Sequence, residues 1–139
     1  MKLLDKVYRF LAVRPRSEKE ITDYFKRKKA SPEATEKIFS LLKQQNLIDD
    51  PAFAGWWVEQ RSTFRPKGKI ALKSELKQKG IAPEIIEKEL EEIDELSLAQ
   101  KALARKKFKS TQKLITFLSY RGFSWQTIKK VLGSINPES

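Results

Sequence analysis

Apolar side chains recur along this chain at the three- and four-residue spacing of amphipathic helices, and nowhere alternate as in a half-buried strand. Leu3, Leu4, Val7, Phe10 and Leu11 open the pattern, which stops near Pro15. Ser17-Glu18-Lys19-Glu20 is a capping box, in which the Ser hydroxyl and the Glu carboxylate satisfy first-turn donors. The second helix that follows has Ile21, Tyr24 and Phe25 as its stripe, and Lys26 to Lys29 suits its negative C-terminal end. Ser31-Pro32 starts a third helix, with Ile38, Phe39, Leu41 and Leu42 inside and Asn46 ending it. The fourth is the most distinctive. Asp50 reads as its N-cap and Pro51 as its first helical residue, while Asp49 adds negative charge at the positive end of the dipole. It runs to about Thr63 and carries Phe53, Trp56, Trp57 and Val58, with Phe64 extending the aromatic series.

Pro66 and Gly68 punctuate a basic turn, after which a fifth helix carries Ile70, Leu72 and Leu76. It ends at Lys79-Gly80, where glycine fits the left-handed position beyond a helix. Ala82-Pro83 opens a sixth helix with Ile85, Ile86, Leu90 and Ile93, and Leu96, Leu98, Leu103 and Phe108 mark a seventh. Leu114, Ile115, Phe117 and Leu118 form an eighth closing at Arg121-Gly122, and Ser124 caps a ninth with Ile128, Val131 and Leu132. The expected fold class is all-α, nine short helices and no strands.

The helices repeat in threes. Placing Gly80 on Gly122 pairs Leu76 with Leu118, Lys79 with Arg121 and Ile81 with Phe123; the same offset pairs Ile86 with Ile128 and Leu90 with Leu132. A fainter copy sets Ser31-Pro32-Glu33 on Ala82-Pro83-Glu84 and Phe25 on Leu76, with Lys29 where the others have Gly. Three units are expected, at residues 1–46, 47–95 and 96–139. Three helices of this length sit near the lower limit for independent folding. The repeats should therefore stack into an elongated, curved array, each supporting its neighbours.

Two details stay open on sequence grounds. Trp56 and Trp57 lie about 100° apart around a helix and cannot point the same way. Either both reach core, as large apolar residues mostly do, or one faces outward. The charge distribution is equally suggestive. Of the net +11, residues 61–80 contribute +6, with seven basic side chains against Glu75 alone, whereas residues 81–97 contribute −6. Blocks of that size imply faces of opposite sign, one suited to phosphates or an acidic partner; solvated helix surface accounts less well for the run from Arg61 to Lys79.

The absence of Cys removes disulfides and thiolate chemistry, and the absence of His removes the commonest general base and metal ligand. Glu84, Glu87, Glu89, Glu91, Glu92, Asp94 and Glu95 form an acidic run, but interleaved with Ile85, Ile86, Leu90 and Ile93 it reads as a polar helix face rather than a carboxylate site. No catalytic, metal or cofactor residues are assigned. No apolar run reaches the roughly 18 residues of a membrane span, and no signal-peptide core is present. A cytoplasmic protein is expected.

The motifs in order are Arg14 to Ser17 (R-P-R-S), Leu47 to Ala54 (L-I-D-D-P-A-F-A), Glu59 to Arg61 (E-Q-R), Leu76 to Ile81 (L-K-Q-K-G-I) and Arg121 to Ser124 (R-G-F-S). Together they resemble the bacterial regulatory protein RecX family over nearly the whole chain, although the Trp pair is bulkier than expected there and the first unit lacks its Gly. The resemblance implies a non-enzymatic protein of tandem three-helix repeats. It further implies binding to RecA recombinase filaments, suppression of ATPase, strand exchange and co-protease activity, and, in some members, DNA binding.

On that reading Arg61, Arg65, Lys67, Lys69 and Lys73 are candidates for one contact face. Lys106, Lys107, Lys109, Lys113 and Arg121 are candidates for another. The partners would be the RecA filament and, through weak phosphate contacts, single- or double-stranded DNA; the chain itself would be a monomer. The alternative is a basic helical DNA-binding module acting without a recombinase. There residues 110–132 would place Trp125, Gln126, Thr127, Lys129 and Lys130 against a groove or phosphates.

Overall fold

A computed structural model describes residues 2–135. Among them it contains nine α-helices and no strand: α1 (Leu3–Val13), α2 (Glu18–Arg27), α3 (Pro32–Gln44), α4 (Asp50–Phe64), α5 (Lys69–Gln78), α6 (Pro83–Glu91), α7 (Glu95–Leu103), α8 (Thr111–Tyr120) and α9 (Trp125–Ile135). The sequence capping signals operate as expected at most ends. Ser17 accepts from the Glu20 N–H while the Glu20 carboxylate accepts from the Ser17 N–H, completing the box. Ser31 caps α3, Ser110 caps α8, and the Ser124 hydroxyl accepts from the Thr127 N–H.

Each unit's second helix ends in the same way. The Ala30, Ile81 and Phe123 N–H groups reach back to the Phe25, Leu76 and Leu118 carbonyls, each at 3.1 Å. This six-residue closure requires a left-handed residue before the returning N–H. Gly80 (φ +77°) and Gly122 (φ +84°) supply it, and in the first unit Lys29 takes the same conformation at φ +53°. The repeat therefore persists in the backbone where the sequence departs from it.

Three separate apolar clusters follow, one per helix triplet. The first buries Val7, Ile21, Phe25 and Leu42. The second buries Phe53, Ala54, Val58, Leu72, Leu76, Ile81, Ile86 and Leu90. The third buries Ala99, Ala102, Leu118, Phe123, Ile128 and Val131. Residues paired by the repeat are buried together: Leu76 with Leu118, and Ile86 with Ile128.

Three expectations need correction. Asp49, not Asp50, caps α4, accepting from the Ala52 N–H at 3.0 Å; Asp50 is already helical. Phe64 and Ile70 were placed on apolar stripes but are 77% and 61% exposed, because each sits at the helix end nearest the α4–α5 turn rather than over the cluster. Phe108 lies beyond α7, which stops at Leu103, and its ring packs 5.3 Å from Phe117 of α8. The question left open for the Trp pair is settled toward the core, since neither Trp56 nor Trp57 faces fully outward. Both are half-buried against the second cluster, as their rings are wide enough to reach it from adjacent positions.

Candidate functional site

The joints between units dictate where the basic side chains end up. The first helix of the second triplet, α4, and that of the third, α7, each start on two acidic residues, Asp49-Asp50 and Asp94-Glu95, and the members of each pair divide the work. Asp49 and Asp94 cap their own helices. Asp50 and Glu95 reach back to the preceding unit, accepting from first-turn N–H groups of its second helix: Glu18 N–H to Asp50 at 2.9 Å, and Lys69 N–H to Glu95 at 2.6 Å. A carboxylate at a helix N-terminus satisfies orphan donors and meets the positive end of the dipole.

The two joints differ in what surrounds this contact. Between the first and second units, Lys79 pairs with Glu20 at 3.3 Å, and the Arg14 guanidinium lies 5.7–6.0 Å from the rings of Trp56, Trp57 and Phe53. Between the second and third, backbone meets backbone. The Gly68 N–H donates to the Arg121 carbonyl at 2.9 Å and the Ile70 N–H to the Gly122 carbonyl at 3.1 Å. Glu95 is buried there and also accepts from the Ser124 N–H, the Ser124 hydroxyl and the Thr127 hydroxyl. Burial opposes its ionisation, but hydrogen bonds from Thr127, Lys69 and Ser124 outweigh that and hold the carboxyl below the usual range.

The ten basic candidates separate into groups. Arg61 and Lys67 are not free cations: both pair with Glu75, at 3.1 and 2.8 Å, and the Trp57 indole N–H donates to the same carboxylate at 3.1 Å. Burial opposes the charge on Glu75, yet donation from Lys67, Trp57 and Arg61 holds its carboxyl below the ordinary range. Lys69 and Lys73 line a groove with Lys77 on α5, facing Glu87 and Glu91 on α6. Lys106 lies 5.0 Å and Arg121 4.8 Å from the Phe117 ring. Arg121 also donates to the Pro66 carbonyl at 3.1 Å. Lys107, Lys109 and Lys113 are exposed around the start of α8.

Arg65 and Arg121, assigned on sequence grounds to different faces, come together. The guanidinium of Arg121 is held below its ordinary pKa by burial and then by the charge of Arg65. No described ion pair involves either residue.

For the alternative DNA-binding surface, Trp125, Gln126, Lys129 and Lys130 are exposed on α9, but Thr127 is buried against Glu95 and is not available to a groove. The polar-face reading of the acidic run fails for Glu95, which is buried in the joint with four hydrogen-bond donors on its carboxylate. The signal that marks it is the recurrence of a carboxylate pair at a helix start, 49–50 and 94–95. Among the described residues no cluster of His, Cys, Asp or Glu is arranged to hold a metal ion, and no helix is long and apolar enough to cross a membrane.

Comparison with known proteins agrees with this architecture. Residues 4–39 match the family model described as RecX, first three-helix domain, and residues 49–90 the one described as RecX, second three-helix domain. The chain is 38% identical over 142 residues to the regulatory protein RecX of Chlorobium phaeobacteroides (strain BS1), covering 96% of this chain and 93% of that one. With the same-named protein of Chlorobaculum tepidum it shares 34% over 137 residues, covering 93% and 85%. Relatives in Streptococcus equi are longer, and the chain spans 54% of their length. Among solved structures, RecX from Lactobacillus salivarius shares the fold at a TM-score of 0.77 and 23% identity, covering 96% of this chain and 94% of that one. On these matches the chain belongs to the RecX family of regulatory proteins.

Proposed function

We infer that this chain binds filaments of the RecA recombinase and inhibits their ATPase, strand-exchange and co-protease activities, acting in the cytoplasm as a monomer without cofactor or catalysis. The observation that carries the reading is the serial arrangement of nine helices around three separate apolar clusters among the described residues; we assign the three units to residues 1–46, 47–95 and 96–139. Specific joints hold them in register and exposed cations stand on more than one unit. Such an array can touch several subunits of a filament at once, so contacts that are modest singly add through multivalency. Of the candidates, Arg65, Lys69, Lys73, Lys106, Lys107, Lys109, Lys113 and Arg121 have no carboxylate partner among the described ion pairs. These are better suited to contact than Arg61 and Lys67, which Glu75 neutralises. Weak phosphate contacts to the filament's DNA fit the same cations.

The test is single-stranded-DNA-dependent ATPase of the cognate RecA, titrated with this protein at fixed salt. Inhibition well below one copy per recombinase subunit is expected. No effect at excess, together with tight and salt-steep binding to naked DNA, would replace this reading with the DNA-binding module. That second reading has its own support in the exposed Trp125, Gln126, Lys129 and Lys130 on α9.

A further inference from the structure

Several hydrogen bonds cross the joint between the second and third helix triplets: Gly68 N–H to the Arg121 carbonyl, Ile70 N–H to the Gly122 carbonyl, Lys69 N–H to Glu95, Arg121 to the Pro66 carbonyl and Lys101 to the Ser62 carbonyl. Ser124 and Thr127 hold the Glu95 carboxylate in place for its part. Large side chains left outside collect around the joint. Phe64, 77% exposed, precedes Arg65-Pro66, whose Pro66 carbonyl takes the Arg121 guanidinium. Tyr120, 90% exposed, precedes Arg121, and Ile70, 61% exposed, donates its N–H across the joint to Gly122. None of the three belongs to the apolar clusters on either side.

The charge around this joint is one-sided. The Arg121 guanidinium donates to the carbonyl of Pro66, the residue after Arg65, which sets two like charges at the same turn. Glu75 is already used by Lys67, Arg61 and Trp57, and Glu95 by the joint itself, and neither Arg65 nor Arg121 belongs to a described ion pair. An anionic group from outside would therefore relieve the repulsion.

We propose that this joint is a protein-docking surface, with Arg65 and Arg121 at its centre and Phe64, Ile70 and Tyr120 at its edge, for an acidic partner segment that carries apolar side chains. Tyr and Arg are the residues that most often dominate binding energy at interfaces, and Ile and Phe add area an apolar partner can cover. A nucleic-acid strand would gain nothing by stacking on Ile70. Because the joint is rigid, the surface spans two units without an ordering cost on binding. The inference rests on the filament-binding reading, and names the part of the chain that makes the contact.

Two variants at exposed positions test it: Phe64→Ser combined with Tyr120→Ser, and Arg65→Glu. Their binding is compared with the parent on recombinase filaments assembled on single-stranded DNA with a non-hydrolysable ATP analogue. Binding to a naked oligothymidine at the same salt is measured alongside. Each variant is expected to lose at least about tenfold in filament affinity, while the double serine variant, which changes no charge, keeps its affinity for naked DNA within about twofold. Unchanged filament affinity in both variants overturns the docking surface alone. A parallel loss on naked DNA by the double serine variant overturns it in favour of a nucleic-acid platform. Failure of the parent protein to bind filaments overturns the underlying filament reading and this proposal with it.

Discussion

Gly68→Ala measures how closely the second and third units are joined. Gly68 has φ −81°, which any residue adopts, so the substitution adds no backbone strain. Its effect comes from space. A Cβ built there meets the Gly122 carbonyl oxygen at 2.3 Å, the Phe123 Cα at 2.4 Å and the Gly122 carbonyl carbon at 2.5 Å. All three are backbone atoms of the facing unit and cannot swing aside as a side chain would. The units must move apart, loosening the Gly68–Arg121 and Ile70–Gly122 hydrogen bonds. Overpacking of this kind costs about 1–3 kcal/mol, and two weakened hydrogen bonds add about 1 kcal/mol each at most. A loss of about 3 kcal/mol is expected. Gly122→Ala should be worse, since its Cβ meets the Ala71 Cβ at 2.3 Å and its φ of +84° adds roughly 1 kcal/mol of left-handed strain.

Urea unfolding gives the size of the loss, and amide exchange at Ile70 gives its place, because that N–H reports on the joint alone. Gly55→Ala is the matched control: it lies within α4, its Cβ would make ordinary contact with the Glu89 carboxylate at 3.6 Å, and helix propensity favours Ala by up to about 1 kcal/mol. If Gly68→Ala unfolds within about 0.5 kcal/mol of the parent and Ile70 keeps its protection, the two units are not docked in this way, and the docking surface argued above loses its rigid base.

Three further outcomes are expected. Lys29→Gly should stabilise the first unit by about 1 kcal/mol, read by the same urea titration, because Lys29 is exposed and sits at φ +53°, which Gly adopts without strain. Glu95→Ala should cost about 3 kcal/mol, since it strands the Lys69 and Ser124 N–H groups and the buried Thr127 hydroxyl; a loss under about 1 kcal/mol would show that water replaces the carboxylate. The carboxyls of Glu20, Glu75 and Glu95 are all held below their ordinary range, in each case by hydrogen bonds that outweigh burial. They ionise more readily folded than unfolded, so their contribution is complete above the unfolded value of about 4.3 and is lost as pH falls through the lower folded values. Thermal melts should hold level through neutral pH and drop below about pH 4, and Glu75→Gln should flatten that drop.

How much of this was legible in the sequence divides along a physical line. Helix starts and stops were readable because they depend on one or two neighbouring residues: Ser17 with Glu20, Ser31 before Pro32, Gly80 and Gly122 after their helices. Even the third left-handed position was marked, since the repeat placed Lys29 there against its own propensity. What could not be read locally was the partner of each charge. Arg61, Lys67 and Arg65 look alike in a run of seven cations. Only tertiary packing decides that Glu75 takes the first two, while Arg65 is left beside Arg121 from 56 positions further along.

The same limit explains Asp50 and Glu95. Each was read as belonging to its own helix, whereas its acceptor lone pairs serve the helix of the unit before. In a tandem array a residue's nearest neighbours in space are often one repeat away. A cap signal that occurs twice in a row, as in Asp49-Asp50 and again in Asp94-Glu95, therefore carries information about the next joint as well as the next helix. The pairing of one carboxylate for the helix and one for the joint makes the stacking of units a property of the repeat itself. The second joint adds backbone-to-backbone contact at Gly68 and Gly122 that the first lacks, where Ser17 and the Lys19 side chain stand instead. Rigid coupling should accordingly be found between the second and third units, and any bending of the array at the first joint, where Lys79, Glu20 and Arg14 hold the units through charge and aromatic contacts that salt can screen.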